Sequence, residues 1–179
     1  MFRTPDTQTL PAQPDQLAPA RPNGRDAGSR LEHHLHGSDA VVLHQRRLPG
    51  KLRKINHIVV GPAGITVVDS RHYRCRKARF KGGQLCVGKR DRTDLVDRVL
   101  DQAAAVRELL AGTPYAGVKV EAALALGNVR GEPVVTTWEG RSLIIWGTGL
   151  IAEAASRPGP LSADEVDALA SVLADELSG

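Results

Sequence analysis

An apolar hairpin near the middle of the chain places the strongest constraint on the fold. Residues 54–60 read KINHIVV and residues 65–69 read ITVVD, with Gly-Pro-Ala-Gly between them. Runs of β-branched residues bounded by glycine and proline are typical of strands. A connection this short joins two antiparallel strands. We therefore expect a sheet built around this hairpin.

The patterns on either side of the hairpin predict a mixed architecture. A short helix over 26–36 and a strand over 40–44 precede it, and a second hairpin over 76–87 follows it. An amphipathic helix over 93–111 comes next, then further strands, and a last helix opened by the capping box Ser162-Ala-Asp-Glu165. This order predicts an α/β (α+β) fold with a central mixed β-sheet flanked by helices.

Composition divides the chain into three segments. Residues 1–24 are rich in proline and polar residues, which predicts a disordered N-terminal tail. Residues 25–146 carry the strand and helix patterns of the main domain. The pattern over residues 147–179 predicts a C-terminal helical segment that packs on the domain or trails it.

No apolar run in the sequence approaches the ~18 to 20 residues of a membrane span, and the first residues show no secretory signal. We therefore expect a cytoplasmic protein without a membrane segment; the oligomeric state is not predicted.

Basic charge is concentrated in one block of the chain. The whole sequence has a formal net charge of +4, but residues 43–92 hold fourteen basic and two acidic side chains. Such a block is typical of a protein that binds a phosphate backbone. An alternative interpretation of the basic block is that basic residues on an edge strand protect against aggregation. The candidate nucleic-acid-binding residues are Arg74, Arg76, Lys77, Arg79, Lys81, Lys89, Arg90 and Arg92.

Three polar residues are expected at one end of the first hairpin. Asp69 and Arg71 are two apart in a strand and therefore share a face, and Asn56 can lie opposite them on the neighbouring strand. Polar side chains within apolar strands are costly unless they have a use. The trio suggests a phosphate site beside the basic block, although polar residues also occur at strand ends simply because they are solvated.

The hairpin and the stretch after it resemble a known family. The run LPGKLRKINHIVVGPAGITVVDSRHYRCR, followed by GGQLCVGKRDRTDLVDRVLDQ, is similar to the nuclease-related domain (NERD), and GSRLE at 28–32 resembles the start of that family's first helix. The resemblance covers roughly residues 26–146 and implies a restriction-endonuclease-like fold of the PD-(D/E)xK superfamily. Members of that superfamily typically use acidic residues and a lysine to hold Mg²⁺ and to cleave phosphodiesters.

The resemblance assigns four catalytic positions, two of which depart from the family pattern. Glu32 matches the helix acid and Asp69 the second strand acid, whereas Asn56 stands at the usual Asp and Arg71 at the usual Lys. The implied metal ligands are Glu32, Asp69 and Asn56. A neutral amide oxygen in place of a carboxylate weakens an Mg²⁺ site. Arginine is suited to bidentate phosphate binding rather than to orienting or polarising an attacking water. We therefore expect Mg²⁺ to be weakly held or absent.

Three functional hypotheses follow. The first is a NERD-like protein that binds DNA through its basic face, with impaired Mg²⁺-dependent cleavage. The second is an active metal-dependent DNA nuclease that tolerates Asn56 and Arg71. The third is a non-enzymatic module that binds another protein.

Overall fold

The computed structural model describes residues 25–49, 54–138, 141–145 and 147–177, so the predicted tail at 1–24 lies outside the described residues. The helices are α1 (Arg25–Leu35), α2 (Thr93–Leu110), α3 (Thr148–Ala155) and α4 (Ala163–Glu176). The strands are β1 (Val41–Arg47), β2 (Lys54–Gly61), β3 (Gly64–Lys81), β4 (Gln84–Val87), β5 (Arg90–Asp91), β6 (Val120–Arg130), β7 (Val134–Trp138) and β8 (Arg141–Ile145).

The described strands form one mixed sheet. Six of them follow the order β1-β2-β3-β6-β8-β7, and β4 and β5 extend from the far end of β3. β1, β2 and β3 are antiparallel neighbours, whereas β3 pairs with β6 in parallel, as does β6 with β8. A parallel neighbour requires a crossover, and α2 lies in the connection between β3 and β6. The predicted fold, a mixed sheet flanked by helices, is confirmed.

The central hairpin turns more tightly than a four-residue connection. Gly61 and Gly64 pair across the ladder, so only Pro62 and Ala63 form the turn. Gly64 has a φ of +125°, and a Cβ there would lie 2.4 Å from the carbonyl oxygen of Lys119. Glycine permits both this backbone conformation and the close approach of the chain before β6.

β3 is longer than the sequence pattern indicates. The pattern predicts two separate hairpins, but a single strand runs from Gly64 to Lys81 and takes part in both. Its first half pairs with β2 and β6, and its last residues pair with β4. The register against β6 shifts between His72 and Arg76. Pairing with these neighbours satisfies the backbone hydrogen bonds of a stretch that is too rich in charged residues to show strand periodicity.

Helices cover both faces of the sheet. Leu95 and Val99 of α2 pack in one core cluster with Val67 of β3, and α4 contributes to the same cluster. Leu31 of α1 and Ile151 of α3 pack in a second cluster with Val68. Val67 and Val68 are consecutive residues of a strand and point to opposite faces. The odd-numbered residues in the first half of β3 therefore face α2, and the even-numbered ones face α1.

The last helix is anchored to the domain. Ser162 and Glu165 form the predicted capping box, in which each side chain accepts from the other residue's backbone N–H. Val166, Leu169 and Leu173 are buried in the cluster that includes α2. Among the described residues, no helix has the length and apolar content needed to cross a membrane.

Candidate nucleic-acid interface

Asp69 lies at the centre of the site and is held by two guanidinium groups. Its side chain is only 1% exposed and faces α2. Arg98 of α2 donates to Oδ2 of Asp69 from Nε at 2.9 Å and also from Nη2. Nη2 of Arg71 lies 3.6 Å from Oδ1. Both carboxylate oxygens therefore face positive charge supplied by the protein itself.

Asn56 lies next to Asp69 on the neighbouring strand. His57 pairs with Val68 in the antiparallel β2–β3 ladder. Asn56, the residue before His57, therefore lies opposite Asp69, the residue after Val68. Its Oδ1 accepts a long hydrogen bond of 3.4 Å from the backbone N–H of Ser70. The structure thus brings Asn56, Asp69 and Arg71 together at one end of the hairpin, as the strand alternation predicts.

Glu32 does not join these three residues. It lies on α1, and its Oε1 accepts from His44 Nε2 at 2.8 Å. Nδ1 of His44 is 2.8 Å from Nδ1 of His57, and His57 Nε2 is 3.5 Å from Ser70 Oγ. Because Ser70 and Asp69 are consecutive in a strand, this chain of contacts lies on the opposite face of the sheet. The packing of α1 on the Ser70 side therefore separates Glu32 from Asn56 and Asp69, the other two implied metal ligands.

His57, behind the site, stays uncharged at neutral pH. Burial and, to a smaller extent, the neighbouring His44 lower the pKa of His57 from 6.5 to about 4, while Glu32 acts in the opposite direction. The imidazole is only 3% exposed, so the charged form loses most of its hydration. At neutral pH His57 therefore acts as a neutral hydrogen-bonding group between β1 and β3.

A basic cleft of about 450 Å³ opens beside the trio. Five of the eight predicted nucleic-acid-binding residues line it, and none of its described lining residues is acidic. Its lining is formed by His72, Tyr73, Arg74, Arg76, Val87, Gly88, Lys89, Arg90 and Arg92. The other three predicted residues, Lys77, Arg79 and Lys81, are exposed farther along β3 and do not line the cleft. β3 and the residues around β5 thus gather basic groups separated by up to eighteen residues in sequence.

Tyr73 connects the cleft to the trio. It lines the cleft and lies two residues after Arg71, on the same strand. Burial raises the pKa of its hydroxyl, while the charges of Arg92 and Arg71 oppose that rise. The hydroxyl is buried and has no hydrogen-bond partner in the described structure, and the same is true of Arg71 Nε.

Arg98 is a residue of the site that the sequence patterns did not predict. It is the closest charged partner of Asp69 and comes from a helix that begins 24 residues later in the chain. A signal was present: Arg98 follows Leu95 by three residues and precedes Gln102 by four, and both of these are buried on α2. Residues at such spacings share a helix face, so an arginine there approaches the sheet.

The donor set, as it is arranged, does not fit Mg²⁺. This ion requires several oxygen ligands in near-octahedral geometry, but the oxygens of Asp69 face arginines and Glu32 lies on the other face. Within the described residues, no group of three or more His, Cys, Asp or Glu side chains could hold a metal ion. Two buried groups beside Asp69 have no hydrogen-bond partner in the described structure, namely Arg71 Nε and the Tyr73 hydroxyl. Arg71 Nε is only a donor, so it cannot ligate a cation.

A mixed sheet flanked by helices is consistent with a restriction-endonuclease-like fold. The family model described as "Nuclease-related domain" matches residues 22–127, more than half of the chain. The chain therefore belongs to the nuclease-related domain (NERD) family, whose general placement is in the PD-(D/E)xK superfamily. The resemblance noted in the sequence is confirmed. Neither the curated proteins nor the solved structures contain a significant match.

Proposed function

We propose that this protein is a cytoplasmic, nuclease-related protein that binds DNA through the basic cleft, and that its Mg²⁺-dependent phosphodiester cleavage is impaired. One observation carries the proposal. A cleft lined by five basic residues adjoins an Asp69 whose carboxylate is engaged by Arg98 and Arg71. The cleft favours binding of a polyanion, and the engaged carboxylate disfavours metal-assisted hydrolysis.

The residues at the two departing positions support the same conclusion. Arg71 presents a planar, positively charged set of donors that suits phosphate. Asn56 brings one amide oxygen, which already accepts from Ser70, where a carboxylate would bring charge. Neither residue supplies what an Mg²⁺-activated water requires, whereas both are compatible with a bound backbone phosphate.

The test uses the full chain with single-stranded, nicked and plasmid DNA. We expect binding without cleavage products in Mg²⁺ or Mn²⁺, with an affinity that falls steeply as salt rises because counterions are released. Metal-dependent products that disappear in Asp69→Ala would instead identify an active nuclease. Absence of salt-sensitive binding to any of the three DNA forms would leave a protein-interaction module.

A matched pair of variants locates the binding surface. Arg90→Ala removes a residue that lines the cleft, whereas Arg157→Ala removes an arginine that follows α3 and pairs with Glu153 outside the cleft. Weaker DNA binding in Arg90→Ala alone supports the cleft as the binding surface. Equal effects in the two variants would contradict it.

A further inference from the structure

Two buried donors beside the basic cleft lack partners. Arg71 Nε and the Tyr73 hydroxyl are inaccessible to solvent and have no hydrogen bond in the described structure. Leaving a buried polar group unsatisfied is costly, and nearly all such groups in folded proteins have a partner. Both side chains belong to β3, two residues apart; Tyr73 lines the cleft, and Arg71 contacts Asp69. Their shared position indicates that a ligand group completes this site.

The chemistry of the missing partner follows from the charges around it. A guanidinium N–H only donates, and burial favours the protonated, donating form of the Tyr73 hydroxyl. Arg92 also acts electrostatically on Tyr73 and lines the same cleft. The charge of Arg71 acts on the same hydroxyl, and Nε of Arg92 also donates to Asp94 Oδ1 at 3.1 Å. Two arginines and a phenol in one neighbourhood suit an anion with several oxygens, such as a phosphate group.

Asp69 would repel such an anion if its charge were not compensated. The carboxylate is nearly inaccessible and lies beside Arg71, so water does little to screen it. Arg98 donates to this carboxylate from two nitrogens, and its guanidinium charge is part of the protein and needs no bound metal. It therefore performs the neutralisation for which a bound cation would otherwise be needed.

Resting on the proposed function, we propose that Arg71, Tyr73 and Arg92 form a seat for one phosphodiester group of DNA, and that Arg98 serves as the built-in cation that makes this binding independent of metal. We call these three residues the phosphate seat. Arg98 is a positioning residue, because it acts on the anion through Asp69. Asn56 and Arg71, which depart from the family pattern, and the contact of Arg98 with Asp69 then form one arrangement. This arrangement is suited to binding a phosphate without cleaving it.

The first experiment needs no substitution. Binding of a fluorescently labelled single-stranded oligonucleotide to the full chain is measured by anisotropy, in EDTA and in Mg²⁺ at matched ionic strength. We expect binding in EDTA that is at least as tight as in Mg²⁺, because Mg²⁺ competes only as a counterion. Binding that requires Mg²⁺, or that tightens by about tenfold or more in it, would overturn the proposal.

The second experiment tests Arg98 through its partner. In EDTA, Arg98→Gln is expected to weaken binding about tenfold, because it leaves the charge of Asp69 facing the phosphate. Adding Asp69→Asn to that variant is expected to restore most of the affinity, since the repelling charge is gone. A purely structural role for Arg98 would not give this rescue. Unaltered binding in Arg98→Gln, or failure of Asp69→Asn to restore it in a folded double variant, contradicts the proposal.

The third experiment tests the seat directly and covers the case in which Arg98→Gln fails to fold. Tyr73→Phe deletes one hydroxyl and is expected to weaken binding about tenfold, the loss of a hydrogen bond to a charged group. Tyr115→Phe, in the loop after α2, is the control and should bind like the unsubstituted chain. Equal affinities for the two variants would overturn the seat. Absence of any salt-sensitive DNA binding by the unsubstituted chain would overturn the proposed function itself, a distinguishable result.

Discussion

The Nδ1 atoms of His44 and His57 lie 2.8 Å apart, so their imidazole rings contact each other across the pairing of β1 and β2. Their planes are nearly perpendicular, with ring centroids separated by 5.1 Å. One of the two Nδ1 atoms carries the proton of this hydrogen bond. The pair connects Glu32 of α1 to Ser70 of β3, directly behind Asn56, Asp69 and Arg71.

His57 should make folding stability depend on pH. Its pKa is lowered to about 4 in the folded protein, against 6.5 when unfolded. Between these values the unfolded chain binds a proton that the folded protein excludes, so acidification favours unfolding. We expect the free energy of unfolding to fall by about 3 kcal/mol between pH 7 and pH 4 from this residue.

Urea denaturation across this pH range gives the measurement, with His57→Gln and His36→Gln compared with the unsubstituted chain. His36 is exposed after α1, so its replacement should leave the pH dependence unchanged. The dependence should become shallower only in His57→Gln. An identical slope in all three proteins would refute a buried neutral imidazole at this position.

The contact between Asp69 and Arg98 should contribute to stability as well as to binding. Arg98→Gln leaves a carboxylate that is 1% exposed without its closest partner. We expect a loss of about 2 to 3 kcal/mol, less than for a fully buried pair because the Arg98 side chain is 23% exposed. Urea denaturation of the two single variants and of Asp69→Asn with Arg98→Gln measures the coupling. Additive losses in the double variant would show that the two groups do not interact.

Removing a basic residue that lines the cleft should change how strongly DNA affinity depends on salt. If Arg90 neutralises one backbone phosphate, Arg90→Ala should lower the slope of log K against log salt by about 1. The measurement is DNA affinity at four or more salt concentrations, which separates loss of a phosphate contact from a change in fold. Arg157→Ala should retain the original slope. A parallel shift of the Arg90→Ala line, with no change of slope, would argue against a phosphate contact.

The capping box predicts a stability effect far from the site. Ser162→Ala removes the side-chain acceptor for the backbone N–H of Glu165 and should cost about 1 kcal/mol. Ser171→Ala is the matched control, because Ser171 lies within the same helix and bonds back to Asp167. Alanine favours a helix interior, so this control should be neutral or slightly stabilising. Since α4 is packed in the main core, both effects should appear in a single cooperative transition.

Much of the fold follows from local patterns that the sequence displays directly. The β-branched hairpin, the amphipathic α2 and the Ser162 capping box each depend on residues close together in the chain, and each is found where it is predicted. The family assignment also depends on a continuous run of residues and is confirmed. Where the pattern is weak, as in the charged second half of β3, the extent of the strand is not predictable, because its neighbours determine it.

The sequence alone determined the hairpin that brings Asn56 to Asp69, the concentration of basic charge, and the family. Only the tertiary structure decided what the acids contact: Arg98 reaches Asp69, and Glu32 contacts His44 on the far side of the sheet. The physical reason is that strand alternation assigns side chains to two faces but does not say which helix covers which face. That choice depends on how the apolar faces of α1 and α2 pack, and it leaves Asp69 beside an arginine.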